Sequence, residues 1–227
     1  MDSRRNNFFT RLRSDSGANW KKFLQHPFVV ALGDASLPEQ CFRYYLVQDF
    51  IFLFQFSRAY ALAAYKSENI AQLRQAINSV KNIVDVEMNI HIEYCTEWGI
   101  DLDAVPLELE DLATTAYTRF VLDCGHKGDL LDLATALIPC VAGYAEIGSS
   151  LENHPSTVRK DNPYLSWIEM YASAEYQKVA REAIAQLDEL AVQRGGDARF
   201  KRLVEIFDQA TKLETEFWQM GWNQRNY

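Results

Sequence analysis

Residues that break a regular backbone are scarce in this chain and far apart. Its 227 residues include 10 glycines and 6 prolines, about 7% together, against roughly 12% in average usage. A β-sandwich or barrel needs turn residues about every 8–12 positions, so that architecture is excluded. Long unbroken segments remain. Ser36-Leu37-Pro38-Glu39 reads as a capping box with proline near the first turn. From there to about Lys66 there is no further glycine or proline, and Phe42, Tyr44, Tyr45, Phe50, Phe52, Phe54, Phe56 and Tyr60 crowd the segment. It is apolar on most of its circumference and far too long for a strand, which predicts a helix buried in a bundle.

The remaining punctuation falls where helices end. An amphipathic segment at about 6–24 stops before His26-Pro27. Another runs from about Ile70 to Trp98 and stops at Gly99, with Leu73, Ile77, Val80, Val84, Glu87 and His91 at helical intervals. Pro106 precedes a helix expected at 107–124, closed by Gly125. Asp129 caps one at 130–152, where Pro139 is an internal proline and a candidate kink. Asn162-Pro163 opens a short helix to Ala172, and Ser173 caps the next, which runs to Arg194. Gly195-Gly196-Asp197 is a loop before the last helix, 198–222. The expectation is an all-α, single-domain helical bundle of seven or eight helices spanning 1–227.

Hydrophobic residues are 48% and charged residues 24%, a composition that folds. Twenty-three basic against 31 acidic residues leave a net charge of −8, which repels polyanions and argues against nucleic acid. No apolar run reads as the roughly 18–20 residues that cross a bilayer, and the start (Met1-Asp2-Ser3-Arg4-Arg5) does not read as a secretion signal. Cys41, Cys95, Cys124 and Cys140 lack CxxC or zinc-like spacing and read as reduced thiols of a cytoplasmic protein.

Some polar residues occupy positions that would suit an apolar one. Asp49 lies among Leu46, Val47, Phe50 and Phe52, where a carboxylate must be paired or face a ligand. Cys140 follows Pro139 and has Tyr144 one turn onward, with Gly143 leaving room for a ligand or a close neighbour. Cys140 is either a small core residue or a thiol exposed to a cavity. Glu214 shares a face with Trp218, which should raise its pKa toward that of a proton carrier, whereas Glu216 points to solvent. Tyr117 and Tyr171 read equally well as core residues or pocket lining. Glu87 and His91 raise the question of a metal, but di-iron helical proteins use Glu-x-x-His pairs and the spacing here is four. No metal and no cofactor is expected, and no GxxxxGK[ST], GxGxxG or GxSxG occurs.

Seven blocks taken in order resemble the TenA (thiaminase II) family, which has a haem-oxygenase-like helical fold without haem. They are His26-Pro27-Phe28-Val29, Tyr45-Leu46-Val47-Gln48-Asp49, Glu87 to His91, Thr115-Ala116-Tyr117-Thr118, Pro139-Cys140 with Tyr144, Trp167-Ile168-x-x-Tyr171 and Glu214-x-x-Phe217-Trp218. The resemblance implies a hydrolase of thiamin-derived aminopyrimidines acting in thiamin salvage. Cys140 would be the nucleophile and Glu214 the acid/base. Asp49 would pair with the pyrimidine amino edge, and Phe52, Tyr117, Tyr144 and Tyr171 would line one flat slot. It further implies a homo-oligomer, a tetramer or dimer, with a small-molecule pyrimidine as substrate and neither nucleic acid nor membrane as partner. The chain departs from the family at Phe52, where members commonly carry tyrosine, and at Val141 and Ala142, which are small where aromatics are often found. Two other readings are a non-catalytic pyrimidine-binding or regulatory protein and a metal-dependent oxidase on the same scaffold.

Overall fold

The computed structural model describes residues 7–101 and 109–224. In chain order the helices are α1 (Phe8–Asp15), α2 (Gly17–Leu24), α3 (Pro27–Gly33), α4 (Glu39–Tyr65), α5 (Ile70–Asn82), a π-helical turn (Ile83–Glu87), α6 (Met88–Glu97), α7 (Leu112–Lys127), α8 (Leu130–Asn153), α9 (Leu165–Ala172), α10 (Ala174–Gln193) and α11 (Phe200–Asn223). No strand occurs among the described residues. The protein is all-α.

Two compact units divide the chain. One takes the residues up to Leu37 together with Ala134–Gln219, and the other takes Pro38–Leu133 with the residues from Met220. In the first, aromatic rings from distant helices form the core. Trp20 stacks on Phe207 at 5.4 Å, and Phe28 stacks on Trp218 at 5.1 Å. Burying each such ring stabilises the fold by roughly 1.5–3 kcal/mol or more. His26 caps α3: its Nδ1 accepts from the Phe28 N–H at 3.2 Å, leaving Nε2 to donate to Gln219 Oε1 at 3.2 Å. Glycines let these helices approach closely. A Cβ on Gly143 would lie 2.1 Å from the Phe23 ring, and one on Gly148 would lie 2.5 Å from the Tyr171 backbone.

In the second unit α4 buries residues on several faces, including Phe42, Tyr45, Leu46, Asp49, Phe52 and Phe56, as its aromatic sequence requires. Gln48 ties it to the start of α7. Its Nε2 donates to the Leu109 carbonyl at 2.9 Å, while its Oε1 accepts from the Asp111 N–H at 2.9 Å and the Thr114 hydroxyl at 2.7 Å. Helix α6 ends in a Schellman motif, with Ile100 N–H bonded to the Cys95 carbonyl and Gly99 at φ 65°.

Several expectations need correction. The segment at 6–24 is two helices, because Ser16-Gly17, weak helix formers, break it. Pro27–Gly33 is an additional short helix, so the described residues hold eleven α-helices. Ser36 does not cap α4. Pro38 occupies the N-cap, and the Ser36 N–H turns back to Asp34 Oδ1 at 3.0 Å. Helix α7 starts at Leu112 with Asp111 as its cap, and Gly125 lies inside it against Leu62 and Leu133; Pro106 lies outside the described residues. Pro139 sits within α8 without ending it. Helix α8 is also long and apolar enough to cross a membrane by length and composition, with mean hydropathy 1.5 over its best window. That window is 83% buried within the protein, the profile of a core helix. Asp129, Ser173 and Gly99 act at the helix ends as expected.

Candidate active site

The candidate residues form two sets, one in each unit. In the first unit Cys140 lies on α8, one turn before Tyr144. Tyr144 is the hub of an aromatic wall. Its ring lies 4.9 Å from Tyr171, 5.2 Å from Trp218 and 6.0 Å from Trp167, and Trp167 lies 4.6 Å from Tyr171. The close approach at Gly148 sets α9 against α8 and so brings Tyr171 to Tyr144. The Phe23 ring beside Gly143 shows that this glycine makes room for a close neighbour.

Cys140 is half-buried, whereas Cys41 and Cys95 are fully enclosed. The distinction matters, since a reagent must reach a thiol before the thiol can act as a nucleophile. Cys95 is held as a thiol by burial and by the negative charge of Asp49, which push its pKa up to about 12. Glu214 is 1% exposed on α11 and Glu216 is exposed, as their positions in the sequence require. Cys140 and Glu214 are each one turn from a member of the Tyr144–Trp218 contact.

In the second unit Asp49 is 4% exposed and paired. Its Oδ2 accepts from the Tyr45 hydroxyl at 3.0 Å and faces His91 Nε2 at 2.5 Å. His91 Nδ1 faces the Glu87 carbonyl at 3.2 Å, and Asn82 Nδ2 donates to Glu87 Oε1 at 3.1 Å. Burial alone would lower the His91 pKa, but the Asp49 carboxylate, helped by the Glu87 carbonyl and carboxyl, carries it above the ordinary value. Burial raises the Glu87 carboxyl; Asp49 adds to that rise, while His91 and Asn82 oppose it. Phe52 lies one turn beyond Asp49 and packs on Tyr117 at 5.2 Å and on Phe56 at 5.1 Å.

Sequence reasoning missed the pairing of His91 with Asp49. The residues are 42 positions apart, and His91 was weighed only as a partner of Glu87 for a metal. Its place on the recurring face of the 70–98 segment was the available signal. Among the described residues no group of three or more His, Cys, Asp and Glu side chains could hold a metal ion.

Fold and residue blocks together mark an all-α protein of the TenA type. The chain belongs to the TENA/THI-4/PQQC family, whose model matches residues 16–224. It is 35% identical over 209 residues to the aminopyrimidine aminohydrolase of Halalkalibacterium halodurans, a match covering 91% of each chain. It is 38% identical to an uncharacterized protein of Haemophilus influenzae, over 89% of this chain and 93% of the other. The crystal structure of a TenA family transcription regulator from Silicibacter sp. TM1040 is 39% identical. It superposes with a TM-score of 0.87 over 97% of this chain and 99% of that one.

Proposed function

We propose that the protein hydrolyses thiamin-derived aminopyrimidines by a covalent cysteine route, as a step of thiamin salvage. The observation that carries this reading is the half-buried thiol of Cys140 one turn from the Tyr144 wall, in a chain 35% identical to an aminopyrimidine aminohydrolase. The Cys140 thiolate adds to a pyrimidine ring carbon. Glu214 protonates the exocyclic amine, which leaves as ammonia. Water then adds at the methylene carbon, giving up its proton to the same carboxylate, and the thiolate is expelled. The net change replaces –CH2NH2 with –CH2OH and consumes one water. Tyr144 and Tyr171, beside Cys140 in the first unit, supply aromatic faces and hydroxyls.

The family match over 16–224 supports reading the chain as a single functional domain, and four cysteines outside any disulfide suit the cytoplasm. A homo-oligomer, dimer or tetramer, is supported by Ile77, Val84, Val86 and Ile92. These are 43–51% exposed on the run from α5 to α6, an apolar load that a partner subunit would cover.

Incubation with 4-amino-5-aminomethyl-2-methylpyrimidine tests the reading. One ammonia and one hydroxymethylpyrimidine should appear per substrate consumed, and absence of both refutes the activity. A second reading, a pyrimidine-binding regulator, is favoured by the name of the Silicibacter relative. It requires wild type and Cys140→Ser to bind the pyrimidine equally in calorimetry, with neither releasing ammonia.

A further inference from the structure

Within the first unit one side chain ties together the two helices that carry the aromatic wall. Gln177, in the first turn of α10, donates from Nε2 to the Ala145 carbonyl at 2.8 Å and to the Tyr171 carbonyl at 2.9 Å. Both partners can only accept, so the nitrogen of the amide must face them, and its two hydrogens match the two carbonyls. Ala145 follows Tyr144 on α8, and Tyr171 lies in the last turn of α9. Carbonyls of a last turn lack a donor from their own helix, and Gln177 supplies one to Tyr171. A carbonyl inside a helix keeps a second lone pair, which lets Ala145 accept as well.

The aim of that amide is itself fixed. Ser173 caps α10, its hydroxyl accepting from the Tyr176 N–H at 3.2 Å, and the Gln177 N–H bonds to the Ser173 carbonyl at 3.0 Å. On the same turn the Tyr176 ring meets the Tyr171 ring edge-on, at 4.8 Å and 84°. Tyr171 is therefore held at its backbone by Gln177, at its ring by Tyr176 and against α8 by the close approach at Gly148. Tyr144, 4.9 Å from Tyr171, is set by the same amide through the next residue of its helix, and Cys140 lies one turn before it. A flat ligand that packs on both rings depends on their spacing, since ring attraction is confined to centroid separations of about 4.5–7 Å.

Resting on the aminopyrimidine reading above, we propose that Gln177 is a positioning residue for the substrate: by bridging the Ala145 and Tyr171 carbonyls it fixes the spacing of Tyr144 and Tyr171, the two aromatic faces that take the pyrimidine ring. It acts through these tyrosines and not on the reacting atoms. The role requires two donors on one atom at that reach. Methionine has none, and asparagine, one methylene shorter, cannot bring its amide to both carbonyls.

Calorimetry with the product 4-amino-5-hydroxymethyl-2-methylpyrimidine on wild type, Gln177→Met, Tyr171→Leu and the double variant tests this. Gln177→Met keeps the length of the side chain without its donors and should weaken binding about tenfold. Its near-ultraviolet circular dichroism, which reports the aromatic wall, should change while the far-ultraviolet helical signal stays intact. In the Tyr171→Leu background the same substitution should weaken binding by less than about twofold, because one of the two rings it spaces is gone. Gln177→Asn should follow methionine and serves if that variant does not fold. A purely structural role would lower the thermal midpoint yet leave affinity unchanged, or weaken it equally in both backgrounds. Either result overturns the inference, as does loss of the helical signal in both Gln177 variants. If wild type neither binds the compound nor releases ammonia, the aminopyrimidine reading has failed and the inference falls with it. Wild type that does both, with the Gln177 variants unaffected, overturns the inference alone.

Discussion

Glu214 and His91 carry two kinds of buried charge. Glu214 sits at 1% exposure on the apolar face that holds Trp218, and no hydrophobic requirement explains a carboxyl group there. Glu214→Gln keeps its shape but cannot carry a proton. It is expected to lower kcat about 10²–10⁴-fold with circular dichroism unchanged, and full activity in this variant would make the residue structural. His91 instead links charge to stability. Its folded-state pKa lies above the ordinary 6.5, so the stabilisation is complete below that value and is lost as pH rises through the folded value. Urea melts of wild type and His91→Gln should therefore differ more at about pH 6 than at about pH 10. An equal difference at both contradicts the charge-linked role.

At the scale of elements, the close approach of α8 and α9 sets the geometry of the wall. A side chain at Gly148 would meet the Tyr171 backbone at 2.5 Å, whereas Gly17 has nothing within 4 Å. Gly148→Val should cost about 1–3 kcal/mol in thermal unfolding and reduce turnover, while Gly17→Ala should change little. The helices themselves were legible from the chain. Aromatic density marked α4, and Asp129, Ser173 and Gly99 marked helix ends, because these are local rules of capping and burial. The burial of Glu214 and the exposure of Glu216 follow from the same local spacing, since Glu214 lies one turn from the buried Trp218. What escaped depends on distance in the chain. The Asp49–His91 pair, the Gln48 clamp on α7 and the packing role of Gly125 all join elements that sequence alone leaves apart. Ser36 misled because a local capping pattern lost to the turn that Asp34 builds.

For the molecule as a whole, the exposed apolar residues of the α5–α6 run should be covered by a second copy. Ile77→Glu combined with Val84→Glu is expected to shift sedimentation toward the monomer, since a stable interface buries about 800 Å² per partner. An unchanged oligomer, or a monomeric wild type, would place the interface elsewhere or remove it. Chemistry rather than assembly is the central claim, and one rate comparison tests it most directly. Ammonia release from the aminomethylpyrimidine should fall about 10³-fold or more in Cys140→Ala, with the helical signal of the variant intact. Equal rates in the two proteins would show that the thiol takes no part in the reaction.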